Sequence, residues 1–70
     1  MLREVVESSS LRSIGYDRAT RTLEVEFKNG GVYLYDDVPP ELWSELRRAA
    51  SKGQFFQERV RDQFPTTRLS

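Results

Sequence analysis

The hydrophobic period changes once along this chain, and it changes at a pair of prolines. Upstream, Thr22-Leu23-Glu24-Val25-Glu26-Phe27-Lys28 alternates strictly, with Leu23, Val25 and Phe27 on one side, the signature of a strand with one buried face. Pro39-Pro40 can open a helix but cannot continue a central strand. Beyond it Leu42, Leu46 and Ala49 or Ala50 recur at helical spacing, and Trp43 widens the stripe, so Trp43 is expected to be at least half buried. A chain of 70 residues has room for one such arrangement and no second core. Residues 1–70 are therefore read as a single domain.

The remaining segments follow from local chemistry. Leu11, Ile14 and Tyr16 predict a short strand, with Gly15 marking a bend or a close backbone approach, and Asp17-Arg18-Ala19-Thr20 supplies a turn. Asn29-Gly30-Gly31 can take the positive φ values of a hairpin, returning Val32-Tyr33-Leu34-Tyr35 antiparallel to the alternating strand. In Ser51-Lys52-Gly53-Gln54 the serine can cap a second helix while Gln54 reciprocates. Phe56, Val60 and Phe64 mark the buried stripe of that helix, and Pro65 ends it. Residues 1–10 read as a loose extended arm or a short edge strand, and residues 66–70 as a frayed tail from which Leu69 could dock. The expected fold is α+β: a three-stranded antiparallel meander followed by two short helices packed on one face, the other face being open to water or a ligand.

Composition removes whole classes of chemistry. There is no cysteine and no histidine, hence no disulfide, thiolate nucleophile, imidazole base or ordinary zinc ligand. Ser8, Ser9 and Ser10 lack a histidine to activate them, and neither Lys28 nor Lys52 sits in a serine–lysine motif. Asp36-Asp37 and the pair Glu24 and Glu26 read as turn caps and a solvated strand face. With no glycine-rich phosphate loop either, the chain is expected to be no enzyme and to carry no cofactor and no metal. Charges within the first four residues, and the lack of any apolar run of about 18 residues, argue against export and membrane spanning. A cytoplasmic location is the resulting expectation, and a cysteine-free sequence suits a reducing compartment.

Eleven basic and eleven acidic side chains cancel, so no global field attracts nucleic acid or anionic lipid. Distribution says more: Arg47, Arg48, Lys52, Arg59 and Arg61 gather around Glu58 alone. Phe55 adjoins Lys52 and Arg59 at helical spacing, an aromatic among cations of the kind used for single-stranded nucleic acid, or else a ring covering the edge of the core. Tyr33 and Tyr35 depend on the hairpin. A two-residue turn puts both on the open sheet face as a stacking platform; a three-residue loop with a glycine bulge shifts the register by one and moves them to the core face. A small core gains more from two aromatics than from Val32 and Leu34, which favours the second arrangement and leaves Leu34 exposed.

Taken in order, several short motifs resemble one family. Ser8-Ser9 ahead of Leu11, Ile14-Gly15-Tyr16-Asp17, the Tyr33-Leu34-Tyr35 triplet, Val38-Pro39, Ala50 before Ser51-Lys52-Gly53, and the pair Phe55-Phe56 are together similar to the KTSC domain over about residues 5–69. The resemblance implies a small bacterial or phage protein of the free-standing kind, and it carries no synthetase chemistry, although such domains are also appended to some lysyl-tRNA synthetases. That attachment suggests RNA by association only. The functional expectation is therefore a non-catalytic binding module for RNA or another single-stranded nucleic acid, using Arg47, Arg48, Lys52, Phe55, Arg59, Arg61, Tyr33 and Tyr35. The alternative is a protein partner or a second copy of the chain, favoured by the open edges of a meander.

Overall fold

The computed structural model describes residues 2–70. Its elements run β1 (Arg3–Val5), β2 (Leu11–Asp17), β3 (Thr22–Phe27), β4 (Val32–Tyr35), α1 (Pro40–Arg48), α2 (Lys52–Arg59) and β5 (Thr66–Arg68). The strands form one antiparallel sheet in the order β1-β2-β3-β4-β5. The expected meander is its centre, β2-β3-β4, but the sheet has five strands rather than three. The N-terminal arm takes the edge-strand option, and the tail is not frayed: it pairs with β4. Both added strands are three residues long and exposed throughout, so neither carries a hydrophobic alternation that sequence could display. Backbone pairing at a sheet edge holds them.

One face of the sheet is covered. Leu11, Ile14, Leu23, Val25 and Tyr35 join Val38, then Leu42, Trp43 and Leu46 of α1, and Phe56 and Val60 from the α2 end, in a single core. Trp43 is 8% exposed. The opposite face is polar and internally paired. Arg3 bridges to Glu24 at 3.1 Å and to Glu26 at 3.9 Å, and the Ser13 hydroxyl donates to Glu26 at 2.8 Å.

The helices depart from expectation at their C-terminal ends. Ala49 is extended and closes α1, so Ala49 and Ala50 add nothing to its buried stripe. Pro39 and Pro40 open α1 as expected, and the Ser51 hydroxyl caps α2 by accepting from the Gln54 N–H at 3.2 Å. The Gln54 side chain does not reciprocate; it donates to Glu58 one turn on. α2 stops at Arg59, five residues before Phe64. The Arg61 N–H turns back to the Phe56 carbonyl, and Asp62 takes a left-handed φ of 61°, which a short acidic side chain tolerates. Val60 is thus buried as the residue that ends the helix.

Candidate functional site

The β3–β4 hairpin decides where the tyrosines go. The Phe27 N–H donates to the Gly31 carbonyl at 2.8 Å, and the Gly30 N–H donates to the Phe27 carbonyl at 2.9 Å. Lys28, Asn29 and Gly30 are therefore a three-residue loop, one position earlier than Asn29-Gly30-Gly31. Gly30 at φ 99° forms the bulge, a conformation open to glycine and strained for other residues. The resulting register pairs Val25 with Tyr33 and Leu23 with Tyr35, which puts both tyrosines on the helix-covered face. Leu34 falls on the other face beside Glu24 and Thr67 and is partly covered rather than exposed.

Between β4 and α2 this register builds a run of edge-to-face rings. Tyr33 meets Phe27 at 5.5 Å, Phe27 meets Phe56 at 5.3 Å, and Phe56 meets Tyr35 at 5.3 Å, with interplanar angles of 75–80°. These four rings, rimmed by Asn29, Gln57 and Arg61, line a cleft of about 240 Å³. The Arg61 guanidinium is held there by donating to the Gln57 Oε1 at 2.8 Å. Arg68, delivered by β5, lies over the Tyr33 ring at 5.6 Å, close enough for a cation–π contact. Burial pushes the Tyr35 phenol up to about 12, with Tyr33 acting in the same direction, so at neutral pH it is a hydrogen-bond donor. Tyr35 is only 5% exposed, yet among the described residues no buried side-chain polar atom lacks a partner. With no protein acceptor among those residues, its hydroxyl is not fully enclosed.

Of the residues expected to bind, the structure brings Tyr33, Tyr35 and Arg61 together. Phe55 is partly buried under Arg59, whose guanidinium is 5.4 Å from the ring and 3.6 Å from Glu45, beside a different hollow between α1 and the residues after α2. Arg47 bonds Glu4 at 2.9 Å and covers Trp43, and with Arg48 it lines a third hollow. Lys52 donates to the Ala49 carbonyl at the end of α1. The cations gathered in sequence are thus divided among separate neighbourhoods, Arg47 and Arg48 sharing one. Sequence reasoning took Phe27 and Phe56 for core alone and Asn29 for the hairpin turn alone, and passed over Gln57; exposed amides at a loop and on a helix give no binding signal before the register is known.

The serines of the N-terminal loop have structural work. The Ser8 hydroxyl accepts from the Ser10 and Leu11 N–H groups, both at 3.2 Å, and Gly53 of α2 lies so close that a Cβ there would meet the Ser10 Oγ at 2.8 Å and the Ser8 Oγ at 3.1 Å. The loop before β2 and the first turn of α2 are in direct contact because position 53 has no side chain. A model of the KTSC domain matches residues 7–64. The chain belongs to the KTSC domain family. The crystal structure of a KTSC domain protein from Yersinia pestis superposes with a TM-score of 0.96 at 36% identity, covering 99% of this chain and 97% of that one. An uncharacterised protein of Stutzerimonas stutzeri is 48% identical over 58 residues, covering 83% of this chain and 82% of its own length. A lysine–tRNA ligase of Nostoc punctiforme is 39% identical over 64 residues, or 91% of this chain, which spans only 11% of that ligase. The KTSC motifs acquire physical roles here: Ser8 and Gly53 join loop to helix, the Tyr16 hydroxyl donates to the Val38 carbonyl, and Tyr33 and Tyr35 wall the cleft.

Proposed function

We propose that this KTSC domain is a non-catalytic module that binds single-stranded nucleic acid, RNA foremost, at the cleft between β4 and α2. The observation that carries this reading is the placing of Arg61 and Arg68 against the ring wall that contains Tyr33 and Tyr35. Aromatic rings take bases by stacking while guanidinium groups take the flanking phosphates, and the half-buried Tyr33 and Phe27, rather than the buried Tyr35 and Phe56, are the rings of this wall with surface to offer. The similarity to a segment of a lysine–tRNA ligase supports RNA as the strand. A binding role without chemistry fits the engaged state of the candidate nucleophiles and bases: Ser8 accepts two backbone N–H groups, and Glu24 and Glu26 neutralise Arg3. Arg48, Arg59 and Lys52 lie outside the cleft and contribute field rather than base contacts.

Fluorescence anisotropy with labelled mixed-sequence single-stranded RNA and with tRNA, at about 20 mM and about 150 mM salt, tests the reading. With roughly three to five phosphate contacts, log affinity should fall against log salt with a slope of about −2 to −3.5. Arg61→Ala and Arg68→Ala should each weaken binding and flatten the slope by about 0.7. Absence of binding at the lower salt would overturn it. The protein-partner reading would then be preferred, resting on the free edges of β1 and β5 and on Leu2, Val5 and Leu69, which are 95%, 83% and 54% exposed.

A further inference from the structure

The two edges of the sheet differ in what they offer a further strand. The Asp36 N–H donates to the Pro65 carbonyl at 2.9 Å and the Leu69 N–H to the Val32 carbonyl at 2.7 Å, and Thr67 lies opposite Leu34. Pro65, Thr67 and Leu69 therefore turn their backbones towards β4, and Thr66 and Arg68 turn their N–H and C=O groups outward. The proline falls in the inward set and removes no donor from the outer edge. Thr66, Thr67 and Arg68 are all exposed, and the one charged side chain, Arg68, is laid inward over Tyr33 of β4. The usual devices that blunt an edge are missing here. They are present at β1. There the Val6 N–H donates to the Arg12 carbonyl at 3.1 Å, so Arg3 and Val5 face outward, and a two-fold pairing through both would set Glu4 against the Glu4 of a second copy. Like charges directly opposite repel.

We infer that β5 is a self-association edge, at which two copies of this chain pair antiparallel about a two-fold axis through Thr67. In that register Thr66 of each copy exchanges both N–H···O bonds with Arg68 of the other, so every outward group of β5 is paired. Thr67 meets Thr67, a favourable cross-strand pair. Leu69, which is 54% exposed, comes opposite Pro65 of the second copy on the polar face of the sheet and is covered there. Two-fold pairing closes on a dimer, whereas joining β1 to β5 would run on head to tail. The inference goes beyond the nucleic-acid reading and holds without it. Where both hold, the two clefts lie on the same side of one continuous sheet, with their β4 strands three strand spacings, or about 14 Å, apart.

Sedimentation equilibrium of the full chain, from about 10 µM to about 1 mM, brackets the affinity to be tested. Strands of three residues make a small interface, so the dimer should be weak, with a Kd on the order of 100 µM. Association should stop at two. Thr67→Lys and Thr67→Glu each set like charges face to face on the axis and should each weaken the dimer about fivefold, while an equimolar mixture of the two should associate about tenfold more tightly than either alone. Only a residue that faces its own copy behaves in this way, and a chain that had lost β5 could not be rescued by mixing. Val5→Lys should leave the association unchanged. A strict monomer at the highest concentration, growth beyond the dimer, undiminished association of Thr67→Lys, or no gain on mixing would each overturn the proposal. So would loss of the dimer in Val5→Lys, which would put the contact at β1.

Discussion

The Tyr16 ring lies parallel to the Trp43 indole, with centroids 5.4 Å apart and planes 15° from coincidence. The stack ties β2 to α1, and the Tyr16 hydroxyl extends the tie to the Val38 carbonyl just before the helix. Tyr16→Phe keeps the stack and loses the hydrogen bond, so it should cost about 1 kcal/mol. Trp43→Ala removes a buried aromatic and should cost about 3–5 kcal/mol, enough to unfold much of a domain this small. Urea denaturation followed by circular dichroism measures both. Native tryptophan emission should be blue-shifted, and emission like that of the free amino acid would contradict the burial of Trp43.

Gly15 is where β1 meets β2 too closely for a side chain. A Cβ there would sit 2.5 Å from the Leu2 carbonyl oxygen and 2.9 Å from the Arg3 Cγ. Backbone cannot yield as a side-chain tip can, so Gly15→Ala should push β1 off the sheet while β2, β3 and β4 keep their pairing. Hydrogen exchange is expected to show lost protection at the β1–β2 amides and little change in the β3–β4 pair. The ion pairs of Arg3 with Glu24 and Glu26 should go with the strand.

The Tyr35 phenol gives a pH dependence of definite sign. Its folded value of about 12, raised first by burial, lies above the roughly 10 of an unfolded tyrosine. Above pH 10 the unfolded chain loses this proton while the native one keeps it. The contribution to stability is therefore complete below about pH 10 and is lost as pH rises towards 12. Burial raises Tyr16 in the same direction. Denaturation midpoints should fall between pH 10 and 11.5, and Tyr35→Phe should fall less steeply than the parent. Parallel curves for the two proteins would show that Tyr35 is not the group responsible.

What the sequence made legible was whatever repeats with a period. β3, its hairpin partner β4 and the apolar stripe of α1 could be read from Leu23, Val25, Phe27, Leu42 and Leu46, because burial on one face imposes the spacing. The face taken by Tyr33 and Tyr35 hinged on one residue of loop length, and only packing energy favoured the answer that the Gly30 bulge provides. β5 was illegible because Thr66, Thr67 and Arg68 bury nothing and are held by backbone groups common to all residues. The end of α2 was misplaced because Phe64 continues the helical spacing on a chain that has already turned at Asp62. The cleft was half legible: Tyr33, Tyr35 and Arg61 stood out as aromatic or basic residues, whereas bringing in Arg68 required the last strand.

That last strand has a consequence in time as well as in space. β1 through β4 are joined as successive hairpins, but β5 reaches β4 only after roughly 30 intervening residues, Asp36 to Pro65, that include both helices. Closing a loop of that length costs more chain entropy than closing any of the hairpins, and the three pairs it forms return little until the helices between are in place. β5 should therefore dock late, after the rate-limiting barrier to folding. Destabilising substitutions at Thr67 should accelerate unfolding and leave the refolding rate nearly unaltered, the two limbs of a chevron plot separating the effects. The cleft would then be completed by the final step of folding, when Arg68 swings in over Tyr33.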